Sequence, residues 1–325
     1  MSWQSSLSWK NAKARAEITQ KIRQFFLEKN VIEVETPLLS NGTITDIYLD
    51  AFTSRYDFLS DTSPLNSSVM YLQTSPEFAM KRLLASGFGS IFQICKAFRH
   101  EEYGRHHNPE FTMLEWYRLG FDHFQLMDEV SQLLVAILSC QQPSQVSYQS
   151  VFLEHVAVDP LETSRGELIS VIQQYNKLEQ WIVDEPDNDI LLQFIFSEII
   201  EEKIGITAPC FVYNFPSTQA SLAKISPIDN RVAERFECYF QGLELVNGFH
   251  ELTDESQQLS RFNNDNDVRL TKGLVNKPID NNFIKALTHG LPECAGVAVG
   301  VDRLVMLALK VEHISDVISF SVDNA

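Results

Sequence analysis

Phe98 to Tyr117 reads F-R-H-E-E-Y-G-R-H-H-N-P-E-F-T-M-L-E-W-Y, with apolar residues at its ends and charged residues between them. It leaves an apolar run, Ser90–Phe98, turns at Asn108-Pro109, and returns as a second apolar run, Phe111–Tyr117. Apolar runs bounded by turn residues predict strands, and the charged residues between them predict a loop. We therefore expect a strand, a charged loop and a returning strand.

The loop is dense in ionisable side chains. It holds two arginines, three histidines and three acids: Arg99, Arg105, His100, His106, His107, Glu101, Glu102 and Glu110. Arginine presents a planar fork of donors to phosphate oxygens, and the ring of Phe111 offers a face on which a base can stack. A solvated hairpin tip would have the same composition, so residue types alone leave both alternatives open.

The order of the residues in this loop narrows the choice. It resembles the second signature motif of class II aminoacyl-tRNA synthetases, in which Phe-Arg-x-Glu opens the loop that holds ATP. The longer string from Arg105 to Glu115, R-H-H-N-P-E-F-T-M-L-E, is similar to the lysyl-tRNA synthetase branch. The resemblance implies an α+β fold, with a mostly antiparallel sheet flanked by helices, and a single catalytic domain over residues 1–325.

The segment before this hairpin carries a second likeness. Helical spacing of apolar residues predicts a helix over Ala12–Asn30, and V-I-E-V-E-T-P-L-L predicts a strand over Val31–Leu39 that Pro37 ends or marks as an edge. An ordinary helix–strand pair would give this pattern. E-V-E-T-P also resembles the first class II motif, which forms the dimer interface in the family and implies a homodimer here.

Tyr71–Leu84 predicts a strand, a cap and a helix. Serine, proline and an acid at Ser75-Pro76-Glu77 are an ordinary helix start. The same segment resembles the one that contacts the amino-acid substrate in lysyl-tRNA synthetases. The resemblance implies that Ser75, Pro76, Glu77 and Tyr117 line the substrate site, with Glu77 facing an ammonium group.

Two acids in Gly242–Leu252, G-L-E-L-V-N-G-F-H-E-L, are seven residues apart. In a regular strand Glu244 and Glu251 would therefore point to opposite faces. A bulge or turn at Asn247-Gly248 would bring them together, and the alternative is two exposed strand acids. In the family these acids hold the Mg²⁺ that bridges the ATP phosphates, which implies the same for Glu244 and Glu251. It also implies that Leu245 contacts ATP and that Asn247 and Glu251 contact the substrate.

Cys294–Leu309 predicts a glycine-bearing strand that runs into a helix. A packed strand and helix would explain its apolar residues. The stretch also resembles the third class II motif, G-x-G-x-G-x-D-R, with Ala298 in place of the middle glycine. An arginine in the first helical turn can meet a phosphate, which suits Arg303.

The resemblance assigns an ATP site and two catalytic arginines. Arg99 is expected to hold the α-phosphate and the attacking carboxylate, and Arg303 the distal phosphates. The expected ATP contacts are Arg99, His100, Glu101, Asn108, Phe111, Glu244, Leu245, Gly300 and Arg303. Ala298 joins the expected substrate contacts, and no residue is assigned as a general base.

Composition sets limits on partners and location. The 325 residues carry 26 Lys and Arg against 43 Asp and Glu, a formal net charge of −17. An acidic surface repels phosphates, so we expect no stable binding of nucleic acid. The start lacks a signal-peptide core, no apolar run is long enough to span a membrane, and five cysteines without regular spacing suit a reducing compartment. A cytoplasmic protein is expected.

The chain departs from full-length lysyl-tRNA synthetases in two ways. Because the first motif lies close to the start, no N-terminal anticodon-binding domain is expected, and the chain reads Ala-Ser-Leu-Ala at 220–223 where they usually have Ser-Pro-Leu-Ala. In these features it is similar to stand-alone relatives that activate (R)-β-lysine with ATP and transfer it to a lysine side chain of elongation factor P. The alternatives are a truncated enzyme that charges tRNA and a non-catalytic regulator.

Overall fold

A computed structural model describes residues 3–56, 69–100 and 103–325. The helices are α1 (Trp9–Glu28), α2 (Glu77–Ala85), α3 (His123–Leu138), α4 (Tyr148–Val156), α5 (Arg165–Gln174), α6 (Gln180–Asp184), α7 (Asn188–Ile195), α8 (Glu255–Thr271), α9 (Asn281–Gly290) and α10 (Val301–Leu309). The strands are β1 (Ile32–Glu33), β2 (Leu39–Ser40), β3 (Thr53–Arg55), β4 (Val69–Leu72), β5 (Ile91–Phe98), β6 (Glu110–Leu119), β7 (Ser144–Ser147), β8 (Cys210–Pro216), β9 (Val232–Phe240), β10 (Leu243–His250) and β11 (Cys294–Gly300).

Backbone contacts divide the chain into two compact units. The first comprises Met1–Gly120, Thr253–Cys294 and Ala298–Ala325, and the second comprises Phe121–Leu252 and Ala295–Val297. The prediction of one catalytic domain over residues 1–325 is not tested by this division and stays a prediction.

In the first unit the main sheet has the order β1–β5–β6–β11. The predicted hairpin is confirmed: β5 and β6 pair antiparallel, from Ile91 opposite Tyr117 to Phe98 opposite Glu110. Helix α1 covers this pair, because Phe26 stacks on Phe92 with ring centroids 4.4 Å apart. A smaller sheet has the order β2–β4–β3.

The strand predicted over Val31–Leu39 is wrong in extent. Only Ile32–Glu33 pair with β5, in parallel, and Leu39–Ser40 pair instead with β4 in the smaller sheet. Pro37 lies between the two short strands and has no backbone N–H for a ladder. The helix before them is confirmed.

In the second unit the order is β11–β10–β9–β8–β7, with β7 and β8 parallel and β8, β9 and β10 antiparallel. Residues 147–205, to which the sequence assigns no chemistry, form the apolar core of this unit. Tyr148, Phe152 and Phe196 pack with Phe215 of β8 and Tyr239 of β9. The sequence over Asp189–Gly205 has a helical pattern, and the structure forms α7 there, followed by a π-helical turn and a short 3₁₀ turn.

These elements give the α+β fold that was predicted, a mostly antiparallel sheet flanked by helices. Apolar residues at helical spacing predict a helix over Asp122–Cys140, which is confirmed as α3. The polar stretch Asp254–Thr271 predicts a helix and a loop, and the structure has one helix there, α8. Among the helices of the described ranges, none is both long enough and apolar enough to cross a membrane.

Candidate active site

A backbone hydrogen bond joins the two ends of the charged loop between β5 and β6. The N–H of Arg99 donates to the carbonyl of Pro109 over 2.9 Å, so the two ends of the loop meet where the strands end. The guanidinium carbon of Arg99 lies 5.2 Å from the ring centroid of Phe111, close enough for a cation–π contact. Two residues predicted to bind ATP are thus neighbours at the base of the loop.

Asn108 has a supporting role in the same loop. It is buried, its amide donates to the carbonyl of Glu110 over 2.7 Å, and its oxygen accepts from the N–H of Val322 over 3.0 Å. These contacts fix the loop to β6 and to the C-terminal segment. The predicted contact of Asn108 with adenine stays a prediction.

Arg303 reaches this loop from the first turn of α10. Its Nη2 contacts Nε2 of His107, and its Nε donates to the carbonyl of His106 over 3.4 Å. The pKa of His106 is lowered, chiefly by burial and further by the charges of Arg105 and Arg303. Arg99 starts the loop and Arg303 contacts its far side, so one loop links both predicted catalytic arginines.

Asp302, beside Arg303, holds the framework together. It is buried, accepts from the N–H of Thr112 over 2.7 Å and pairs with Arg15 of α1 over 2.6 Å. The Asp-Arg pair of the third motif therefore has two functions: Asp302 ties α10 to α1 and β6, while Arg303 faces the loop. Arg15 was not singled out from the sequence, because its partner is 287 residues away along the chain.

Glu115 is the main site residue that sequence reasoning missed. Its carboxyl accepts from the hydroxyl of Ser75 over 2.5 Å and from that of Tyr117 over 3.1 Å. Burial and, to a lesser extent, the nearby charge of Glu77 raise the pKa of Glu115 to about 8. Two predicted substrate contacts, Ser75 and Tyr117, therefore converge on an acid that was not assigned. The available signal was its position inside a buried strand, M-L-E-W-Y.

Glu77, the predicted partner of a substrate ammonium, already faces one from the protein. Its carboxylate lies 2.5 Å from Nζ of Lys81, one turn later on α2, and Lys81 is only 1% exposed. Pro76 occupies the N-cap of α2, and the hydroxyl of Ser75 accepts from the N–H of Glu77 over 3.1 Å. The two acids thus differ: Glu77 has a cationic partner and Glu115 has hydroxyl donors.

In the second unit, β10 has a bulge that puts the two predicted metal ligands on one face. The pairing with β9 shifts between Glu244, opposite Tyr239, and Val246, opposite Cys238. One extra residue turns the odd separation of Glu244 and Glu251 into an even one. The sequence predicted a bulge or turn at Asn247-Gly248, and that position is wrong: the bulge lies at Leu245.

Gly248 pairs regularly with β9, and a steric reason explains why this residue is a glycine. It lies opposite Phe236, and a Cβ at this position would come within 2.3 Å of that ring. The glycine therefore makes room for an aromatic side chain on the neighbouring strand rather than for a turn.

The face that carries Glu244 also carries a polar cluster around Glu237. Arg235 and Tyr239 both contact the carboxylate of Glu237, and the amide of Asn247 donates to it over 3.3 Å. The pKa of Tyr239 is raised well above its usual value, first by burial and then by the charge of Glu237. Sequence reasoning named only Asn247 in this cluster, because the others lie on a different strand.

Glu251 follows directly after β10 and is fully buried. It forms a bridge with Ala223 of the Ala-Ser-Leu-Ala segment, and the N–H of Leu252 donates to the carbonyl of Leu222 over 3.0 Å. Ser221 in that segment has φ of 49°, in the left-handed region. Proline, with φ near −65°, cannot adopt this conformation, which gives a backbone reason for its absence here.

The remaining predicted residues lie as follows. The ring of His100 is 4.9 Å from that of Phe52, and Leu245 is buried. Gly300 is the N-cap of α10, and Ala298 is partly buried in β11. Glu101 lies outside the described residues.

Comparisons with known proteins match the chain from end to end. The family model described as tRNA synthetases class II (D, K and N) matches residues 1–324. Relatives named elongation factor P–(R)-β-lysine ligase are 51% identical in Pectobacterium atrosepticum and 52% identical in Pectobacterium carotovorum, each over 324 residues, 100% of this chain and 98% of the relative. A relative of the same name from Klebsiella pneumoniae is 51% identical over 323 residues, 99% of this chain and 98% of the relative.

Proposed function

Because this chain belongs to the family of class II tRNA synthetases (D, K and N), we propose that it activates (R)-β-lysine with ATP and transfers it to a lysine side chain of elongation factor P. The observation that carries the proposal is the identity of about half of all residues, over the full length, to proteins named for that reaction. The arginines and acids described above are the side chains that such a reaction needs.

Activation joins the carboxylate of the amino acid to the α-phosphorus of ATP, and pyrophosphate leaves. A transfer of this kind depends on positioning and on neutralising phosphate charge more than on a protein nucleophile. Arg99 would hold the α-phosphate and the attacking carboxylate, and Arg303 would hold the distal phosphates. Their contacts with one loop support this assignment, since movement of the loop would affect both arginines.

A divalent cation fits the acids of the second unit. Glu244 in β10 and Glu251 directly after it offer hard carboxylate oxygens, which is the ligand chemistry that Mg²⁺ prefers, and side-chain alternation beyond the bulge would give them the same face. Bound Mg²⁺ would neutralise phosphate charge in the reaction. The bulge at Leu245 would orient both carboxylates to the same side of the sheet.

The substrate amino groups need a negative partner, and Glu115 can become one by ionising when the substrate binds. A cation beside Glu115 favours the ionised carboxylate, which then accepts from the ammonium as well as from Ser75 and Tyr117. Because Lys81 already neutralises Glu77, we assign Glu115 as the acid that responds to the substrate.

A homodimer in the cytoplasm completes the proposal, with no stable nucleic-acid partner. Large apolar side chains of the first unit are exposed on α1 and on the sheet-edge strand β1: Trp9 is 84%, Leu27 68% and Ile32 63% exposed. Apolar exposure on this scale beside an open sheet edge suits burial against a second copy. Ile32→Lys should shift the mass measured by light scattering from dimer to monomer, and a dimer that persists would count against this surface.

The decisive test is the intact mass of elongation factor P after incubation with the protein, ATP and each lysine isomer. One added lysyl unit with (R)-β-lysine is the expected result. Arg99→Ala should abolish it, whereas Arg231→Ala, an exposed arginine paired with Asp229 and Glu162, should retain it. Label from lysine on tRNA rather than on elongation factor P would favour the truncated synthetase, and no pyrophosphate exchange with any isomer would favour a regulator.

A further inference from the structure

Three metal-binding side chains meet in the second unit, outside the residues considered so far. His123 begins α3, Glu234 lies in β9 and His250 ends β10. One ligand atom from each lies within 4.8 Å of the other two. Nδ1 of His250 is 2.5 Å from Oε2 of Glu234, and α3 packs on both strands. The cluster thus joins a helix to a hairpin.

The cluster lies on the opposite face of the hairpin from the proposed Mg²⁺ ligands. In β9, Arg235 and Glu237 share a face with Asn247 and, beyond the bulge, with Glu244. Side chains alternate along a strand, so Glu234 precedes that set on the other face, and His250 likewise faces away from Glu251. An ion held by His123, Glu234 and His250 would therefore be separate from one held by Glu244 and Glu251.

An ion pair between His250 and Glu234 would account for those two residues but not for the buried His123. His123 is 4% exposed, and neither of its ring nitrogens has a well-aligned hydrogen bond to a described residue. A buried imidazole without a well-aligned hydrogen bond is costly as a packing residue, but its ring nitrogens are available to ligate a metal.

From this geometry we propose that His123, Glu234 and His250 form a Zn²⁺ site. Two imidazoles and one carboxylate suit zinc, with a fourth position left for water. Bond lengths of about 2.0–2.1 Å in a tetrahedron put ligand atoms about 3.3 Å apart. The His250–Glu234 contact would open by roughly 0.8 Å and His123 would close by up to roughly 1.5 Å, which side-chain rotation can supply.

The ion takes the place of the hydrogen that His250 and Glu234 share. Binding therefore releases that proton and weakens as the pH falls. Because α3 supplies one ligand and the hairpin two, the bound ion would cross-link the two elements. The site would stabilise this unit without taking part in the proposed transfer.

The test is titration of the full chain, freed of metal with a chelator, with Zn²⁺ alone, followed by calorimetry. One ion per chain is expected. His123→Leu and Glu234→Gln should each weaken binding by more than about 10-fold, since even the loss of an indirect partner typically costs that much. Glu251→Gln and His155→Gln should bind zinc as the wild type does, because the first lies at the other site and the second lies elsewhere in this unit.

A second readout covers variants that fold poorly. Zn²⁺ should raise the melting temperature of the wild type, and Co²⁺ in its place should give the visible absorption bands of a tetrahedral site. The proposal is overturned if the wild type takes up no zinc, if His123→Leu binds it equally well, or if Glu251→Gln abolishes binding.

Discussion

If Glu115 must ionise to receive a substrate ammonium, the affinity for the amino acid should rise with pH. The pKa of Glu115 is about 8 in the substrate-free chain, because the carboxyl is buried beside Glu77. The ionised fraction is then about 0.01 at pH 6, about 0.1 at pH 7 and about 0.9 at pH 9. Affinity is proportional to the ionised fraction, so the dissociation constant should fall about tenfold from pH 6 to 7 and about fivefold from pH 7 to 8, and then level off.

Calorimetric titration with (R)-β-lysine, in two buffers of different ionisation enthalpy, measures both the affinity and the protons exchanged. At pH 7 about 0.9 proton should be released for each amino acid bound, which is the fraction of Glu115 that ionises on binding. The side-chain ammonium of the ligand does not contribute, because its pKa near 10.4 keeps it charged throughout.

Glu115→Gln should remove the slope and the proton release together. At pH 9 it should also bind about 10- to 100-fold more weakly, since a hydrogen bond to a charged group contributes about 1.5–3 kcal/mol. Glu110→Gln is the matched control, because Glu110 lies on the same strand but is exposed and paired with Lys96. A wild-type affinity that does not change between pH 6 and 8, or a slope that survives in Glu115→Gln, would refute the reasoning.

Three further outcomes follow from the described contacts. Without substrate, the unfolding free energy of the wild type should fall relative to that of Glu115→Gln by up to about 5 kcal/mol as the pH rises from about 4.5 to 8. The reason is that the folded chain keeps a proton on Glu115 that the unfolded chain has released. Urea unfolding free energies that change with pH equally in both proteins would exclude this. Ser221→Pro should lower the unfolding free energy by more than about 2 kcal/mol, because its φ of 49° is closed to proline, whereas Ser221→Gly should equal or exceed the wild type. Ala298→Gly should raise the rate of pyrophosphate exchange with α-lysine relative to β-lysine. The expected reason is that the methyl group of Ala298 crowds the α-ammonium of α-lysine more than the amine of β-lysine, which is one carbon further along. An unchanged ratio of the two rates would remove Ala298 from substrate selection.

The strands and helices with strong patterns could be predicted from the sequence. The β5–β6 hairpin has two apolar runs around a loop with turn residues, and α3 has a continuous buried stripe with Asp122 as its cap. The strand over Val31–Leu39 could not be bounded, because β1 and β2 are two residues each and depend on partners distant in the chain. The π-helical turn at Phe196–Ile200 likewise has no local signature.

The site divides in the same way. Arginines and acids in a long motif could be found by resemblance, whereas Glu115 could be ranked only once its burial and its hydroxyl partners were known. The cluster around Glu237 depends on strand register, which no local pattern states. No sequence pattern singles out His123, because its distance to Glu234 and His250 is a property of tertiary packing.

The bulge at Leu245 shows why register matters more here than residue type. With regular pairing, the seven-residue separation would place Glu251 on the face opposite Glu244, and His250 would point toward Glu244 instead. The extra residue at the bulge therefore determines on which side of the sheet each later side chain of β10 lies. It gives the two proposed Mg²⁺ ligands an even spacing on one side, and it leaves His250 on the other side, where the proposed zinc ligands Glu234 and His123 lie. Neither set could form with the register of the other.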